Sequence, residues 1–396
     1  MTKTILFLSN GHGEDLNASL ILQALLKNYP KIAFISAMPL VGDGTAYHRL
    51  NIPIIGPTQT LPSGGMIYTQ LSNLVKDLWS GLIKLTWRQI KAVLKYSQNC
   101  DLIIAVGDIF PITLAYLTRR PFVAFIVSTS SYYEGRLHLP FLTWWCLKSS
   151  QCQQIFTRDA FTAKDLQQQG FKQAIFLGYP VMDVLHRTET DLGLEKNYQP
   201  MIALLPGSRL PEALSNLGLL LNICEEIALI RPMQFRVALV PSITEDDLMI
   251  LAQNIGWRYL EQGKLIKRTQ KDDVILVRYF FNAFANILYE CDLVLGMAGT
   301  AVEQAVGLGK PVVQIPGYGP QFTYRFAEAQ MRLLGVSVTT IGKNPNEANL
   351  FRHAAQEVIK ILHDPDYLHS CVGNGKERMG EKGGSDAIAK QIIYLL

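Results

Sequence analysis

The sequence predicts an α/β protein built from two Rossmann-like, doubly wound domains facing a cleft. Three observations carry this. The chain has 396 residues, too many for one ordinary domain and enough for two of roughly 150–200 residues. Short apolar runs alternate with longer amphipathic ones along its whole length. Several of the short runs are apolar on both faces, as strands covered on both sides must be.

Taken in order, the expected strands of the first half are 4–9, 32–37, 101–107, 121–127, 154–158 and 174–178. Those of the second half are 201–207, 235–240, 274–278, 292–297 and 311–316. Helical runs fall at 15–28, 66–97, 160–169, 211–230, 244–254, 298–308 and 347–363. Such strand–helix alternation argues for parallel sheets. The stretch 178–200 is polar, holds Pro180 and Pro200, and loses apolar periodicity from 187 to 199. The expected organisation is therefore a first domain over 1–185, a linker over 186–199 and a second domain over 200–384. An apolar terminal helix, 385–396, is expected to pack back on the first domain. Open α/β sheets bind ligands beyond the carboxyl ends of their strands, so the residues just after the strands are the informative ones.

Composition bounds the function. Apolar residues make up 48% and charged residues 18% of the chain, enough for two buried cores and against global disorder. A net charge of +4 is mild. It does not point to nucleic acid, and no basic block with interleaved aromatics of the needed density occurs outside 66–98. It is compatible with an anionic ligand or an anionic membrane surface. The cysteines (Cys100, Cys146, Cys152, Cys224, Cys291 and Cys371) are scattered, with no CxxC pair. No metal site is expected, and the thiols read as buried and reduced, as in the cytoplasm. The apolar run at 5–8 is too short for a signal-peptide core, and no stretch of eighteen apolar residues suggests a spanning helix.

Two turns in the second half draw attention. In ALLPGSRLPEALSNL, 203–217, a buried-looking strand breaks into Pro206, Gly207, Ser208 and Arg209, with Glu212 three residues on. Gly207 permits close backbone approach, Ser208 can donate, and Arg209 can bind phosphate bidentately beside a helix start. An ordinary turn with Ser208 as N-cap is the plain alternative. The stretch GMAGTAVEQAVGLGKPVVQIPGYGPQ, 296–321, repeats the strand, small-residue turn and helix order. Met297, Ala298, Gly299, Thr300 and Ala301 would line a second anion-binding helix start. Glu303, one turn in, suits the vicinal hydroxyls of a ribose, or is simply a carboxylate favouring the helix dipole.

In the first half, SNGHGED, 9–15, is a glycine-rich turn carrying Gly11, His12, Gly13, Glu14 and Asp15. It lacks the GxGxxG spacing of a dinucleotide site. His12 is one candidate general base, whereas Asp15 can be read as the N-cap of helix 16–28. Asp108, in AVGDIFP at 105–111, is the other candidate base. It can equally be read as the cap of a helix with Pro111 in its first turn.

Together, Pro206-Gly207-Ser208-Arg209 followed by Glu212, with Gly299-Thr300-Ala301 and Glu303 ahead of Lys310-Pro311-Val312-Val313, resemble lipid-A-disaccharide synthase. More broadly they are similar to the GT-B glycosyltransferases that use UDP-sugars. The resemblance runs through most of the chain and is strongest from 200 to 330. It implies a GT-B fold and metal-independent transfer with inversion, with the UDP-sugar as donor substrate and no separate cofactor. Arg209 and the Ser208 turn would contact the diphosphate, Gly299 to Ala301 would cradle phosphate, Glu303 would hold ribose, and Gln321 would lie near the donor sugar. The family carries a GIDAPDF-like stretch where Asp108 stands, with an aspartate as base. The first turn departs from the family's SGEASGD-like pattern.

A lipid acceptor is suggested by two further segments. Residues 66–98 interleave Leu71, Leu74, Leu78, Trp79, Leu82, Leu85 and Trp87 with Lys76, Lys84, Arg88, Lys91 and Lys95, as in a helix lying at a lipid interface. Residues 132–148 add Tyr132, Tyr133, Phe141, Trp144, Trp145 and Lys148. Either segment can instead be a core helix with a solvated basic face. The expectation is a cytoplasmic hexosyltransferase, peripheral on the inner face of the membrane. It would move a hexose or N-acetylhexosamine from a UDP-sugar to a lipid or lipid-linked acceptor. The competing expectations are a UDP-N-acetylglucosamine 2-epimerase and a non-catalytic protein that binds sugar nucleotide or lipid.

Overall fold

The computed structural model describes residues 3–30, 33–59, 82–195, 199–261, 263–269, 273–319 and 322–396, with all side chains among them except those of His12, Ala33 and Leu82. The chain divides into two compact units, Met1–Val184 with Gly380–Leu396, and Leu185–Met379.

The first unit is a six-stranded sheet in the order β2-β1-β3-β4-β5-β6. Its strands are β1 Lys3–Ser9, β2 Ala33–Pro39, β3 Leu102–Val106, β4 Phe122–Ile126, β5 Cys152–Thr157 and β6 Ala174–Ile175. Every neighbouring pair is parallel. Residues Ile5 to Leu8 are wholly buried, because helices cover both faces and leave no side of the strand for water. From β1 the chain steps to β2 on one side, then sets β3 on the other side of β1, with Ser9 opposite Val106. That reversal is where open α/β sheets form ligand crevices.

The second unit is an eight-stranded sheet in the order β14-β13-β12-β7-β8-β11-β10-β9. The strands are β7 Met201–Leu205, β8 Gln234–Ala238, β9 Arg258–Leu260, β10 Lys264–Arg268, β11 Val274–Phe280, β12 Leu293–Gly296, β13 Val312–Gln314 and β14 Val338–Thr340. The order again reverses around the first strand: β8 lies on one side of β7 and β12 on the other, with Leu205 opposite Gly296. Its core is organised on helix Glu212–Ile230, which buries Ala213, Leu217, Leu220, Leu221, Cys224 and Ile227 at helical spacing. That helix is long and apolar enough to cross a membrane, yet over half of it is buried within the unit, so its apolarity is accounted for by the core.

Two expectations need correction. The second sheet is not wholly parallel, since β9, β10 and β11 pair antiparallel. The connections among them are too short for the crossover that parallel pairing needs. The stretch expected as a linker is bound to the second unit by its backbone. Asn286 accepts from the Thr188 amide at 2.8 Å and donates to its carbonyl at 2.8 Å, and Arg236 donates to the Leu192 and Gly193 carbonyls. Side chains of the second unit thus hold the backbone of this stretch. Of the helical run expected at 66–97, Leu82–Tyr96 is a helix and 66–81 lie outside the described residues.

The terminal helix Gly384–Tyr394 belongs to the first unit. It is anchored by Asp183, whose carboxylate accepts from the Gly383 and Ser385 amides at 2.6 and 2.7 Å. Backbones touch at Gly178 and Gly384, where a Cβ on Gly384 would stand 2.7 Å from the Gly178 carbonyl carbon. Alanine in a helix is ordinarily better than glycine by about 1 kcal/mol. Gly384→Ala should nevertheless destabilise the protein by about 2–3 kcal/mol, read as a lowered denaturation midpoint with faster amide exchange in 384–394. An unchanged midpoint would mean the close approach can relax freely.

Candidate functional site

In the second unit the two singled-out turns sit together at the reversal between β7 and β12. Parallel strands end at the same edge of the sheet, so the turn after Leu205 and the turn after Gly296 emerge side by side. The Met297 amide donates to the Leu205 carbonyl at 2.8 Å. Gly207 has φ +101, and a Cβ there would meet the Met297 carbonyl oxygen at 3.1 Å and the Phe322 ring at 3.4 Å. Glycine is thus demanded both by the left-handed backbone and by the close approach.

Ser208 is not a helix cap. The helix begins at Glu212 with Pro211 in the cap position, so Gly207 to Pro211 form an exposed turn whose tip carries Ser208 and Arg209. Helix Thr300–Gly307 has Gly299 at its cap without a side-chain partner. Gly299 and Thr300 are exposed, and a Cβ on Gly299 would meet nothing within 4 Å. The start of this helix is thus open at Gly299 and Thr300, and an uncapped helix start of this kind can receive an anion. Glu303 lies in that first turn.

Residues that sequence reading missed hold these turns in place. Gln330, 5% exposed, donates to the Ala298 carbonyl at 3.0 Å and the Gly299 carbonyl at 3.3 Å. Buried Asn216 donates to the Pro206 carbonyl at 3.0 Å. The glycine loop after β13 closes over them. A Cβ on Gly317 would strike Met297 and Asn216, and one on Gly319 would strike Glu212. Gln321 lies outside the described residues. A pairing of glycines with partners so distant in sequence leaves no local signal in the chain.

The first unit has an equivalent edge at the β1–β3 reversal. Helix His12–Asn28 starts immediately after Gly11, placing His12, Gly13 and Glu14 in its first turn. The side chain of His12 lies outside the described residues. Asn10 donates to Asp108 at 3.0 Å, and Ser128 donates to Glu14 at 2.5 Å. Gly107, φ +134, packs closely against Asn10 and Glu14. Asp108, Glu14 and Ser128 thus gather at one rim. Asp108 holds the cap position of helix Ile109–Leu117, but its side chain makes no capping hydrogen bond. Burial raises its pKa, against the pull of the Phe110 amide, and the charge of Glu14 adds to the rise. It remains half-buried and reachable.

Asp15 is not the helix cap either. It is 4% exposed and accepts from Ser9 Oγ at 2.5 Å, while the Tyr47 hydroxyl lies 2.6 Å from the same Ser9 oxygen. Burial lifts Asp15 from 3.8 to about 7, opposed by the Ser9 bond and reinforced by Glu14 and Asp43. It titrates near neutrality but is enclosed, so it cannot itself touch a substrate.

The outward faces of three neighbouring helices of this unit form a second feature. On Leu82–Tyr96 the inner side buries Leu85, Gln89 and Val93, and the outer side exposes Ile83, Lys84, Trp87, Arg88, Lys91 and Lys95. Next to it pack Ile109–Leu117 and then Phe141–Lys148. The latter exposes Phe141 (81%), Trp144 and Trp145. Lys91 stands over Trp87 at 5.1 Å and Lys148 over Trp144 at 5.7 Å. None of the three helices contains an acidic residue. Tyr132 stacks on Phe161 at 4.7 Å.

The raised pKa of Asp15 makes a stability prediction. An acid whose native pKa exceeds its unfolded value binds the proton more tightly when folded. Stability then falls as pH rises between about 4 and about 7, by up to about 1.4 kcal/mol per pH unit, and levels off above. Asp15→Asn keeps the Ser9 contact and should remove this slope. Urea midpoints of both proteins from pH 4 to 8 measure it, and parallel curves would place the titration elsewhere.

No protein-family model matches the chain, and no curated protein matches it significantly. Solved structures do. The glycotransferase of kitacinnamycin aligns with a TM-score of 0.61 at 14% identity, covering 100% of each chain. Spinosyn rhamnosyltransferase complexed with thymidine diphosphate aligns at 0.59 and 12% identity, over 99% of this chain and 100% of that one. UDP-GlcNAc 2-epimerase from Neisseria meningitidis bound to UDP-GlcNAc aligns at 0.56 and 13% identity, over 99% and 100%. The chain therefore has two Rossmann-like α/β domains of the kind found in GT-B glycosyltransferases and UDP-GlcNAc 2-epimerases, which is the fold class its sequence predicts.

Proposed function

We propose that the protein is a UDP-sugar-dependent hexosyltransferase acting on a lipid or lipid-linked acceptor, as the resemblance to lipid-A-disaccharide synthase suggests. The observation that carries the reading is the pairing of the Gly207–Arg209 turn with the Gly299–Thr300 helix start at the β7–β12 reversal. Backbone amides, a close-approach glycine and an arginine converge there, which suits a diphosphate. Solved proteins of this fold are seen with UDP-GlcNAc and with thymidine diphosphate, in keeping with a nucleotide-sugar donor.

In the proposed reaction Asp108 takes the proton of the acceptor hydroxyl, with His12 the other candidate base. The raised pKa of Asp108 suits that task. The acceptor oxygen bonds to the anomeric carbon, and the bond from that carbon to the UDP oxygen breaks. Negative charge then accumulates on the diphosphate, where Arg209 and the amides of Gly299, Thr300 and Ala301 stabilise it. Glu303 holds the ribose hydroxyls.

An epimerase acting on UDP-N-acetylglucosamine fits the same fold and the same nucleotide cradle. The exposed basic and aromatic face of Leu82–Tyr96 and Phe141–Lys148 favours the transferase, because an epimerase of a soluble nucleotide sugar needs no lipid surface. On this reading that face rests on the membrane, with Trp87, Phe141 and Trp145 in the interface and Lys84, Arg88 and Lys91 near anionic headgroups. The protein would then be cytoplasmic and peripheral.

Thermal-shift titration with UDP and UDP-sugars should raise the melting temperature. In Arg209→Ala the UDP affinity should fall about 10- to 100-fold, the range of a lost charge-assisted hydrogen bond. Absence of any shift with uridine nucleotides would remove the donor assignment. Sedimentation with vesicles rich in anionic lipid should capture the wild type in low salt, and Trp87→Ser with Phe141→Ser should release it. Equal binding by the double variant would return the face to a merely solvated role.

A further inference from the structure

In the second unit one buried side chain reaches both peptides that open the helix start beside the Gly207 turn. Helix Tyr324–Leu334 follows the loop after β13 in sequence and is capped by Thr323, whose side chain accepts from the Phe326 amide at 3.3 Å. It buries Ala327, Gln330, Leu333 and Leu334, the spacing of a helix face turned to the interior. Alanine and leucine are expected at such positions. A glutamine is not, because a buried polar group costs free energy unless it is hydrogen-bonded.

The side-chain amino group of Gln330 has two donors. One goes to the Ala298 carbonyl at 3.0 Å and the other to the Gly299 carbonyl at 3.3 Å. Its Oε1 is buried and accepts from no donor among the described residues. An apolar residue would serve packing alone, so the two bonds to the turn are what distinguish glutamine here. The helix is in turn tied to the sheet by a second buried glutamine. Gln314 donates to the Ala327 carbonyl at 3.0 Å and to Thr340 Oγ1 at 2.9 Å. The donor that reaches the turn is thus held from behind.

Peptide geometry gives the consequence. The carbonyl of one residue and the N–H of the next lie in one plane and point opposite ways. With the Ala298 and Gly299 carbonyls drawn to Gln330, the N–H groups of Gly299 and Thr300 point away from it. Gln330 is 5% exposed, whereas Gly299 and Thr300 lie at the surface. Gly299 also has no Cβ to restrict it, so its flanking peptides rotate readily unless something holds them.

We propose that Gln330 is a positioning residue for the anion cradle. It holds the Ala298–Gly299 and Gly299–Thr300 peptides in the orientation that offers two amides to the diphosphate, and it does so from another helix without touching the ligand. The inference rests on the reading of this turn as part of the nucleotide cradle. Without the amino group of Gln330 the peptides can turn their carbonyl oxygens outward, and an acceptor there opposes an anion.

The test is a calorimetric titration of the full chain with UDP, beside a resonance titration with uridine, which lacks the phosphates. Gln330→Met keeps an unbranched side chain and removes both donors. Its dissociation constant for UDP should rise about tenfold or more, the scale of a lost hydrogen bond to a charged group. Its affinity for uridine should change by less than about twofold. In the wild type the Gly299 amide proton should move downfield as UDP binds, and in Gln330→Met it should move little. Should Gln330→Met fail to fold, the Gly299 amide of the wild type decides. Equal UDP affinity in the two proteins, equal losses for UDP and uridine, or a Gly299 amide that stays in place while UDP binds would each overturn the proposal. No UDP binding by the wild type would remove the nucleotide-cradle reading itself, and the role of Gln330 with it.

Discussion

The parallel pairing of the first strand of each sheet with the strand across its reversal point is the constraint on which the candidate site depends. Parallel strands end at one edge, so turns far apart in sequence emerge as neighbours. In the second unit this sets Gly207 against the Met297 carbonyl and puts an arginine-tipped turn beside an open helix start. In the first it sets Asn10 against Asp108 and Glu14 against Ser128. The strands themselves are apolar on both faces and can offer only their ends to chemistry. Polar function is thereby driven to the carboxyl edge.

Burial decides which carboxylate can act. Asp15 and Asp108 both have raised pKa values, and burial is the first cause in each. They differ in access. Asp15 is enclosed with Ser9 and Tyr47, so its shift near neutrality affects stability and the posture of the first helical turn. Asp108 keeps a half-exposed carboxyl at the rim. A shifted pKa alone would have favoured Asp15, and geometry reverses the order.

Alternation separates the faces of these elements into different roles. On β8 and β11 odd positions fill the core and even positions carry Arg236 and Arg278, opposite each other in register. On helix Leu82–Tyr96 the residues at helical spacing that include Leu85, Gln89 and Val93 fill the first unit's interior, while Trp87 and the lysines face out. The two readings open to that segment, core helix and basic aromatic surface, thus describe opposite faces of one helix.

The sequence by itself determined the fold class, the positions of the parallel strands except Val338–Thr340, and the two strand–turn–helix signatures, while β9 and β10 were not legible in it. Apolar runs, their period and their glycine punctuation are local properties that a chain displays without folding. It also singled out Arg209, Glu303, Asp108 and the glycines of the turns. Tertiary structure alone decided which residues meet. It brought Gln330 to the Ala298 turn, Asn216 to Pro206, Ser9 and Tyr47 to Asp15, and Arg236 to Arg278. It denied Ser208 and Asp15 their capping roles, turned part of the second sheet antiparallel and bound the polar stretch near 190 to side chains of the second unit. Each of these is a contact between residues distant in the chain. Such contacts are set by strand order and register, which no local pattern encodes.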